Sequence, residues 1–311
     1  MNGIPDIFKD SFCQKQLDSQ GYVVVDILNP DEIRQLTEIF HELHPALKND
    51  QFISDSYSND AAYKKMASER VTRFFLPHFE RLFINYAPFG SSFLYKTKGQ
   101  NSELSIHQDW TILDETQSLA LNIWTPLCDV NEENGTLMVI PGSHQEILPI
   151  RCPTLPFFFS GQEDVLLPYL VPMNVKAGQS VVLNQRLIHY SPPNKTDKIR
   201  IAITSGVKTR AAQMVFHYAN PDRPGILEVY EQEDDFLISF ENFYEDIAGR
   251  PKLGKRIQDK EYTLPKPDKA ALKELLNSMY VQAGLPPLKK ETGQRVSPIE
   301  RIWHKFTNII R

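Results

Sequence analysis

Three of the eight histidines open a His-x-acid triplet: His78-Phe79-Glu80, His107-Gln108-Asp109 and His144-Gln145-Glu146. An imidazole and a carboxylate two residues apart share one face of a β-strand, where both can reach one metal ion; on a helix they diverge. His78 lies in a helical pattern. His144 follows a Pro-Gly turn, has no good third ligand downstream, and is expected to stabilise that turn by hydrogen bonding. His107 ends the β-type run ELSIHQD with Gln108 pointing away. A second histidine on another strand would complete a two-histidine, one-carboxylate face that leaves positions open on a non-haem Fe(II) ion. His189, 82 residues after His107, ends the apolar run QSVVLNQRLIH. Eleven residues later Arg200 stands in the strand-like IRIAI. A guanidinium facing the same pocket suits a dicarboxylate, which it binds through two parallel hydrogen bonds.

The elements that position these groups are mostly short strands. From residue 91 onward, SSFLYK, ELSIHQDW, SLALNIWTPL, TLMVIPG, VPMNVKAG, QSVVLN, IRIAITSGV and QMVFHYA are β-type runs punctuated by Gly and Pro, the pattern of a sandwich or barrel. The Pro- and aromatic-rich stretch 151–170 reads as a long insertion, a lid over the pocket. Ahead of these strands, GYVVVDIL reads as a strand, and NPDEIRQLTEIFHEL as a helix with Asn29 and Glu32 placed for a capping box. Residues 60–86 read as helix interrupted near Pro77. After residue 220 the pattern is helical: DDFLISFENFYEDI, PDKAALKELLNSMY and SPIERIWHKFTNIIR, the last with Ile299, Ile302, Trp303, Phe306, Ile309 and Ile310 on one face. Two units are expected, 1–220 holding the site and 221–311 a helical extension packed on it.

The chain has 311 residues, 41% hydrophobic and 23% charged, an ordinary globular profile without an apolar run long enough to span a membrane. The net charge of −5 argues against a nucleic-acid partner. The N-terminus carries no secretory pattern, and Cys13, Cys128 and Cys152 are too scattered for a disulfide framework, so a reducing cytoplasm is expected. Residues 221–247 carry net −8 and residues 248–311 net +8. The two blocks either neutralise each other or leave a basic surface that favours an anionic group on a small-molecule substrate. No oligomeric state follows from the sequence.

The ordered set His107-x-Asp109, His189, Arg200 sits within the words NIWTPL (122–127), NGTLMVIPGSH (134–144) and HYSPPNKTDKIRIA (189–202). Together, over about residues 15–220, it closely resembles the phytanoyl-CoA dioxygenase-like family, which includes ectoine hydroxylase. The resemblance implies a mainly β, α+β fold: a double-stranded β-helix (jelly roll, cupin-like) core with N-terminal helices. It implies a hydroxylase that uses Fe(II), 2-oxoglutarate and O2, oxidises an unactivated C–H of a small-molecule or carrier-bound metabolite, and releases succinate and CO2. His107, Asp109 and His189 would be the iron ligands, with Arg200 and Ser191 on the distal carboxylate of 2-oxoglutarate. Trp124, Asn122 and Leu94 would line the cosubstrate pocket. Relatives often carry Gly-Ser after the distal histidine; Tyr190 stands here instead and would narrow the pocket. His217 and Phe158 are candidate substrate contacts. Relatives that halogenate leave the carboxylate position empty, so Asp109 favours hydroxylation, or desaturation or cyclisation by the same iron chemistry. Two other classes remain open: a non-catalytic jelly-roll metal-binding module, and a zinc hydrolase built on the same ligands.

Overall fold

The computed structural model describes residues 4–239, 254–265 and 268–285. In chain order it runs α1 (Ser11–Gln20), β1 (Tyr22–Asp26), α2 (Pro30–Leu43), β2 (Phe52–Ser54), α3 (Ala61–Leu82), β3 (Tyr86–Lys96), β4 (Leu104–His107) and β5 (Ala120–Pro126). Then come β6 (Met138–Val139), α4 (Ser143–Glu146), α5 (Glu163–Leu166), β7 (Val171–Pro172), β8 (Gln179–Asn184), β9 (His189–Ser191), β10 (Arg200–Thr209) and β11 (Met214–Ala219). The described tail adds β12 (Ile226–Gln232), α6 (Phe236–Ser239), β13 (Arg256–Glu261) and α7 (Lys269–Gln282).

Every strand pairing is antiparallel. Six strands form one sheet in the order β1-β8-β5-β10-β3-β2, and four form a second, β4-β9-β6-β7. This is a jelly-roll core with flanking helices. Strand alternation divides the large sheet between two environments. Phe93, Tyr95, Ile123, Ile201 and Ile203 pack outward, with Leu36, Phe40, Phe75 and Phe79 of α2 and α3. Trp124, Val181, Leu183 and Ala202 face the other way and pack with Ile106, Val139 and Ile188.

Local chemistry explains the helix starts. Asn29 and Glu32 make the reciprocal capping box at α2. Asp10 caps α1 by accepting from the backbone N–H of Phe12 and Cys13. Gly21 ends α1 in the left-handed region, at φ 82°, and a β-carbon there would lie 2.5 Å from Nδ1 of His144. The expected break at Pro77 is absent: α3 runs straight through it. Pro77 and Arg73, whose carbonyl loses its helical partner, both lie on the exposed face, so water replaces the missing bond.

The tail also departs from the expectation of an all-helical extension. Ile226–Gln232 and Arg256–Glu261 are strands, and β11-β12-β13 form a third sheet that continues across residue 220. Helix α7 does form, and Leu272, Leu276, Met279 and Tyr280 bury into the jelly-roll core. The helix expected over 234–247 is seen only as α6, its remainder and the one expected over 297–311 lying outside the described residues. Several charges of the two blocks are spent on counter-ions: Arg223 on Asp259 at 2.7 Å, Arg256 on Asp259, Lys208 on Asp234 at 3.1 Å, and Lys269 on Asp164 at 3.0 Å. No described helix is long and apolar enough to cross a membrane. All three cysteines are free.

His144 is fully buried, its Nε2–H donating to the Asp18 carbonyl at 3.1 Å while Nδ1 has no partner. Burial pushes its pKa down to about 4. Below about pH 6.5 the unfolded chain therefore takes up a proton that the folded chain refuses, and stability falls as the pH drops toward 4. Urea unfolding at pH 7 and pH 5 should show this site contributing a loss of about 2 kcal/mol. The His144→Asn variant should show a correspondingly shallower pH dependence.

Candidate active site

Strand β4 pairs with β9 in a register that sets His107 directly opposite His189. Their ring centroids are 4.1 Å apart. Each Nδ1–H donates to the carbonyl two residues earlier in its own chain: His107 to Ser105 at 2.7 Å, and His189 to Leu187 at 2.9 Å. Those bonds fix the tautomer and leave both Nε2 lone pairs free. Gln108 points away from the site, as strand parity requires, and its amide donates to the Ile147 carbonyl at 3.0 Å and to that of Arg186. Asp109 is tied through its backbone N–H to the Gln185 carbonyl at 3.1 Å, and its Oδ1 lies 3.8 Å from each Nε2. The three donor atoms all fall within 4.8 Å of one another. Asn122 donates to the other carboxylate oxygen, Oδ2, at 3.4 Å, and Thr204 donates its hydroxyl proton to the Asn122 side-chain oxygen. The carboxylate is thereby turned with Oδ1 toward the histidines.

Burial, and then the neighbouring His189, push His107 down to about 4, so its ring is neutral at ordinary pH. Two imidazole nitrogens and one carboxylate oxygen on one side of a cavity fit a first-row divalent ion, Fe(II) among them, with the opposite positions left to other ligands.

The cavity holds about 530 Å³ and is lined by all three of these residues together with Arg200, Ser191, Trp124, Asn122 and Leu94. Arg200 is 2% exposed, its Cζ lies 5.7 Å from the Trp124 ring centre, and its Nε and Nη1 have no hydrogen-bond partner. Burial lowers its pKa to about 10, which still leaves it charged. A buried guanidinium with idle donors fits a carboxylate ligand. Ser191 already donates its proton to the Gly135 carbonyl at 2.9 Å, so contact with a carboxylate requires that hydroxyl to turn.

Phe158 lines the cavity, with Phe157 beside it in the insertion expected to form a lid. Two expected substrate contacts do not line it. Tyr190 falls between His189 and Ser191 on β9, so alternation turns it outward, where its phenol pairs with Glu103. His217 is buried and donates from Nδ1 to the Thr111 carbonyl at 3.0 Å.

Two groups at the site escaped the sequence reading. Lys96 is fully buried, stands opposite Arg200 on β3, and donates to the carbonyls of Ser191 at 2.8 Å and Pro192 at 2.6 Å. Burial, and then Arg200, push its pKa down to about 5. The alternation of Ser92, Leu94 and Lys96 along β3 carried the signal, because Leu94 was already placed on the inner face. Arg151 lines the cavity, donates from Nε to the Asp109 carbonyl at 2.7 Å, and is paired with Glu115.

Residues 17–202 match the family model described as phytanoyl-CoA dioxygenase (PhyH). A phytanoyl-CoA dioxygenase domain-containing protein 1 of Danio rerio is 34% identical over 130 residues, which are 39% of this chain and 44% of that protein. Its Dictyostelium discoideum homolog is 33% identical over 128 residues, 39% and 46% of the two chains. The matched segments thus span less than half the length of these curated relatives. Among solved structures, a non-heme alpha ketoglutarate dependent carbocyclase from nogalamycin biosynthesis superposes with a TM-score of 0.50 at 16% identity, over 80% of this chain and 93% of that one. That likeness is one of fold.

Metal titration separates this donor set from the His-x-acid triplet at His78. In anaerobic titration with Fe(II), His189→Ala should lose metal binding, and Asn122→Leu should weaken it by about tenfold through its effect on Asp109. His78→Ala should leave the affinity unchanged, because His78 instead pairs with Glu32 at 3.0 Å.

Proposed function

Because the chain belongs to the phytanoyl-CoA dioxygenase (PhyH) family, we propose that it is a dioxygenase in which His107, Asp109 and His189 hold Fe(II) and Arg200 holds the distal carboxylate of 2-oxoglutarate, hydroxylating a small molecule. The observation that carries this reading is the pairing, within one cavity, of a facial donor set with a buried guanidinium whose donors are idle. When bound, iron and 2-oxoglutarate together activate O2 for oxidation of an unactivated C–H bond, with succinate and CO2 as the cosubstrate's products.

The residues divide this work. Arg200 sets the depth and direction of the cosubstrate by two parallel hydrogen bonds to one carboxylate. Trp124 packs beside that guanidinium and, with Leu94, keeps water from competing for it. Asn122 and Thr204 hold the Asp109 carboxylate in one rotamer. The strand-borne hydrogen bonds from Nδ1 keep both imidazoles from rotating as ligands exchange. Cavity walls of Trp110, Phe157 and Phe158 exclude solvent from the oxidising centre.

A metal-binding module without catalysis has no use for Arg200, and neither does a zinc hydrolase. The anionic substrate group expected from the basic block is not part of this proposal, since Arg256 and Lys269 of that block are paired with Asp259 and Asp164.

The test is succinate release. The enzyme with Fe(II) should convert 2-oxoglutarate to succinate, and His107→Ala should abolish this. Arg200→Ala should raise the KM for 2-oxoglutarate by roughly thirtyfold or more, the cost of removing one partner of a buried charge pair. An activity indifferent to omission of 2-oxoglutarate sinks the assignment.

A further inference from the structure

The lining of the cavity narrows the substrate class. Its charged side chains, among the described residues, are Asp109, Arg151 and Arg200, with the imidazoles of His107 and His189. On the reading above, on which this inference rests, four of these serve the metal and the cosubstrate. Arg151 is spent: its Nε serves the Asp109 carbonyl, Nη1 the Pro149 carbonyl at 2.9 Å and Glu115 at 3.0 Å, and Nη2 the other oxygen of Glu115. No charge among the described lining residues is left for a substrate.

The groups that remain are neutral and fall into two sets. One is a chain of hydroxyls: Ser56 lies 2.7 Å from Ser54, and Ser54 lies 3.1 Å from Ser92. Ser92 donates to the Phe93 carbonyl at 3.3 Å, so Ser54 donates to Ser92 and Ser56 to Ser54, and the end at Ser56 presents an acceptor oxygen. Gln185 adds a buried side-chain oxygen, Oε1, that has no partner and belongs to a residue 6% exposed. Its residue also anchors the backbone of Asp109, which places it beside the metal ligands. The second set is apolar and includes Trp110, Ile150, Leu155, Phe157, Phe158 and Ile238.

We infer that the substrate is an uncharged amphiphile: an apolar body against the aromatic and aliphatic lining, with a hydroxyl or similar neutral hydrogen-bonding group that donates to Ser56 at the end of the Ser56–Ser54–Ser92 chain. A carboxylate or phosphate in this cavity would be desolvated with no counter-charge among the described lining residues, and would face the acceptor oxygen of Ser56. A neutral hydroxyl satisfies the same oxygen without that cost. The cavity selects against anionic versions of the same molecule by withholding a partner.

The experiment is anaerobic calorimetric titration of the enzyme loaded with Fe(II) and 2-oxoglutarate. The probes are 4-phenylbutan-1-ol, 4-phenylbutanoate and 4-phenylbutyl phosphate, which share one apolar body. The alcohol should bind roughly tenfold or more tightly than either anion, since a site built to pair a neutral polar group rejects analogues that leave it unpaired. Ser56→Ala should remove most of that margin, and Phe158→Arg, which puts a cation in the apolar lining, should recover affinity for the carboxylate. Binding of either anion as tightly as the alcohol overturns the inference, as does failure of all three to bind. Succinate release without added substrate is measured alongside. If it proceeds, a failed titration counts against the substrate class alone; if it does not, the oxygenase reading falls and takes the inference with it.

Discussion

The register between two short strands governs the site. His107 and His189 are cross-strand partners, and a slip of one residue would turn one of them to the opposite face. The register has to be defended, because β9 is only three residues long. It is held from both sides, by β4 and by β6, where Val139 stands opposite His189. Each imidazole then uses the same local device, an Nδ1–H bond to the carbonyl two residues back, so tautomer and ring angle follow from the strand's own backbone. Metal-ligating histidines often need a carboxylate to do this. Here the peptide does it, and Asp109 remains the sole carboxylate of the donor set.

A single strand ties the two ends of the cavity together. Arg200 and Thr204 lie four residues apart on the same face of β10. Thr204 orients Asn122, and Asn122 holds Asp109; Arg200 is the anchor at the far end. At about 3.3 Å per residue, the two positions are roughly 13 Å apart along the strand, a spacing that no loop movement alters. β10 is flanked on both edges, by β3 and β5, which makes it one of the interior strands of the six. The chain has placed the distance between metal and carboxylate anchor where the fold is least free to move.

The sequence disclosed what periodicity and local chemistry encode. The strand runs from 91 to 219 formed, as did the capping box at Asn29 and the helix over 269–282, because each carries its signal within a few residues. Tyr190 does not narrow the pocket, because on β9 its parity is opposite to that of His189 and alternation prevails over the departure from the family pattern. His217 satisfies its Nδ1 on the Thr111 carbonyl, a partner 106 residues away that no local pattern shows. Arg256–Glu261 is exposed along its whole length, so it has no alternation to read and owes its strand form to pairing with β12. Lys96 and Arg151 were missed for a related reason. A lysine or arginine in a sequence is read as surface, and only the assembled fold shows carbonyls waiting for it.

The buried basic side chains, compared with one another, explain why Arg200 stands apart. Lys96 gives its protons to two carbonyls, Lys208 pairs with Asp234 and reaches the Ala212 carbonyl at 2.8 Å, and Arg151 has Glu115 and two carbonyls. Lys96, held down to about 5, sheds its charge, while Lys208 and Arg151 are met by carboxylates, so none of the three keeps an uncompensated charge. Arg200 has the Trp124 ring nearby and two nitrogens without partners, a debit that persists in the folded chain. Selection for stability alone would replace such a residue with an apolar one of similar volume. A charge left unpaired inside a cavity that also holds a metal-type donor set is what a dicarboxylate cosubstrate requires. Its binding would supply the missing counter-charge, so that the destabilisation of the empty state becomes affinity in the loaded one.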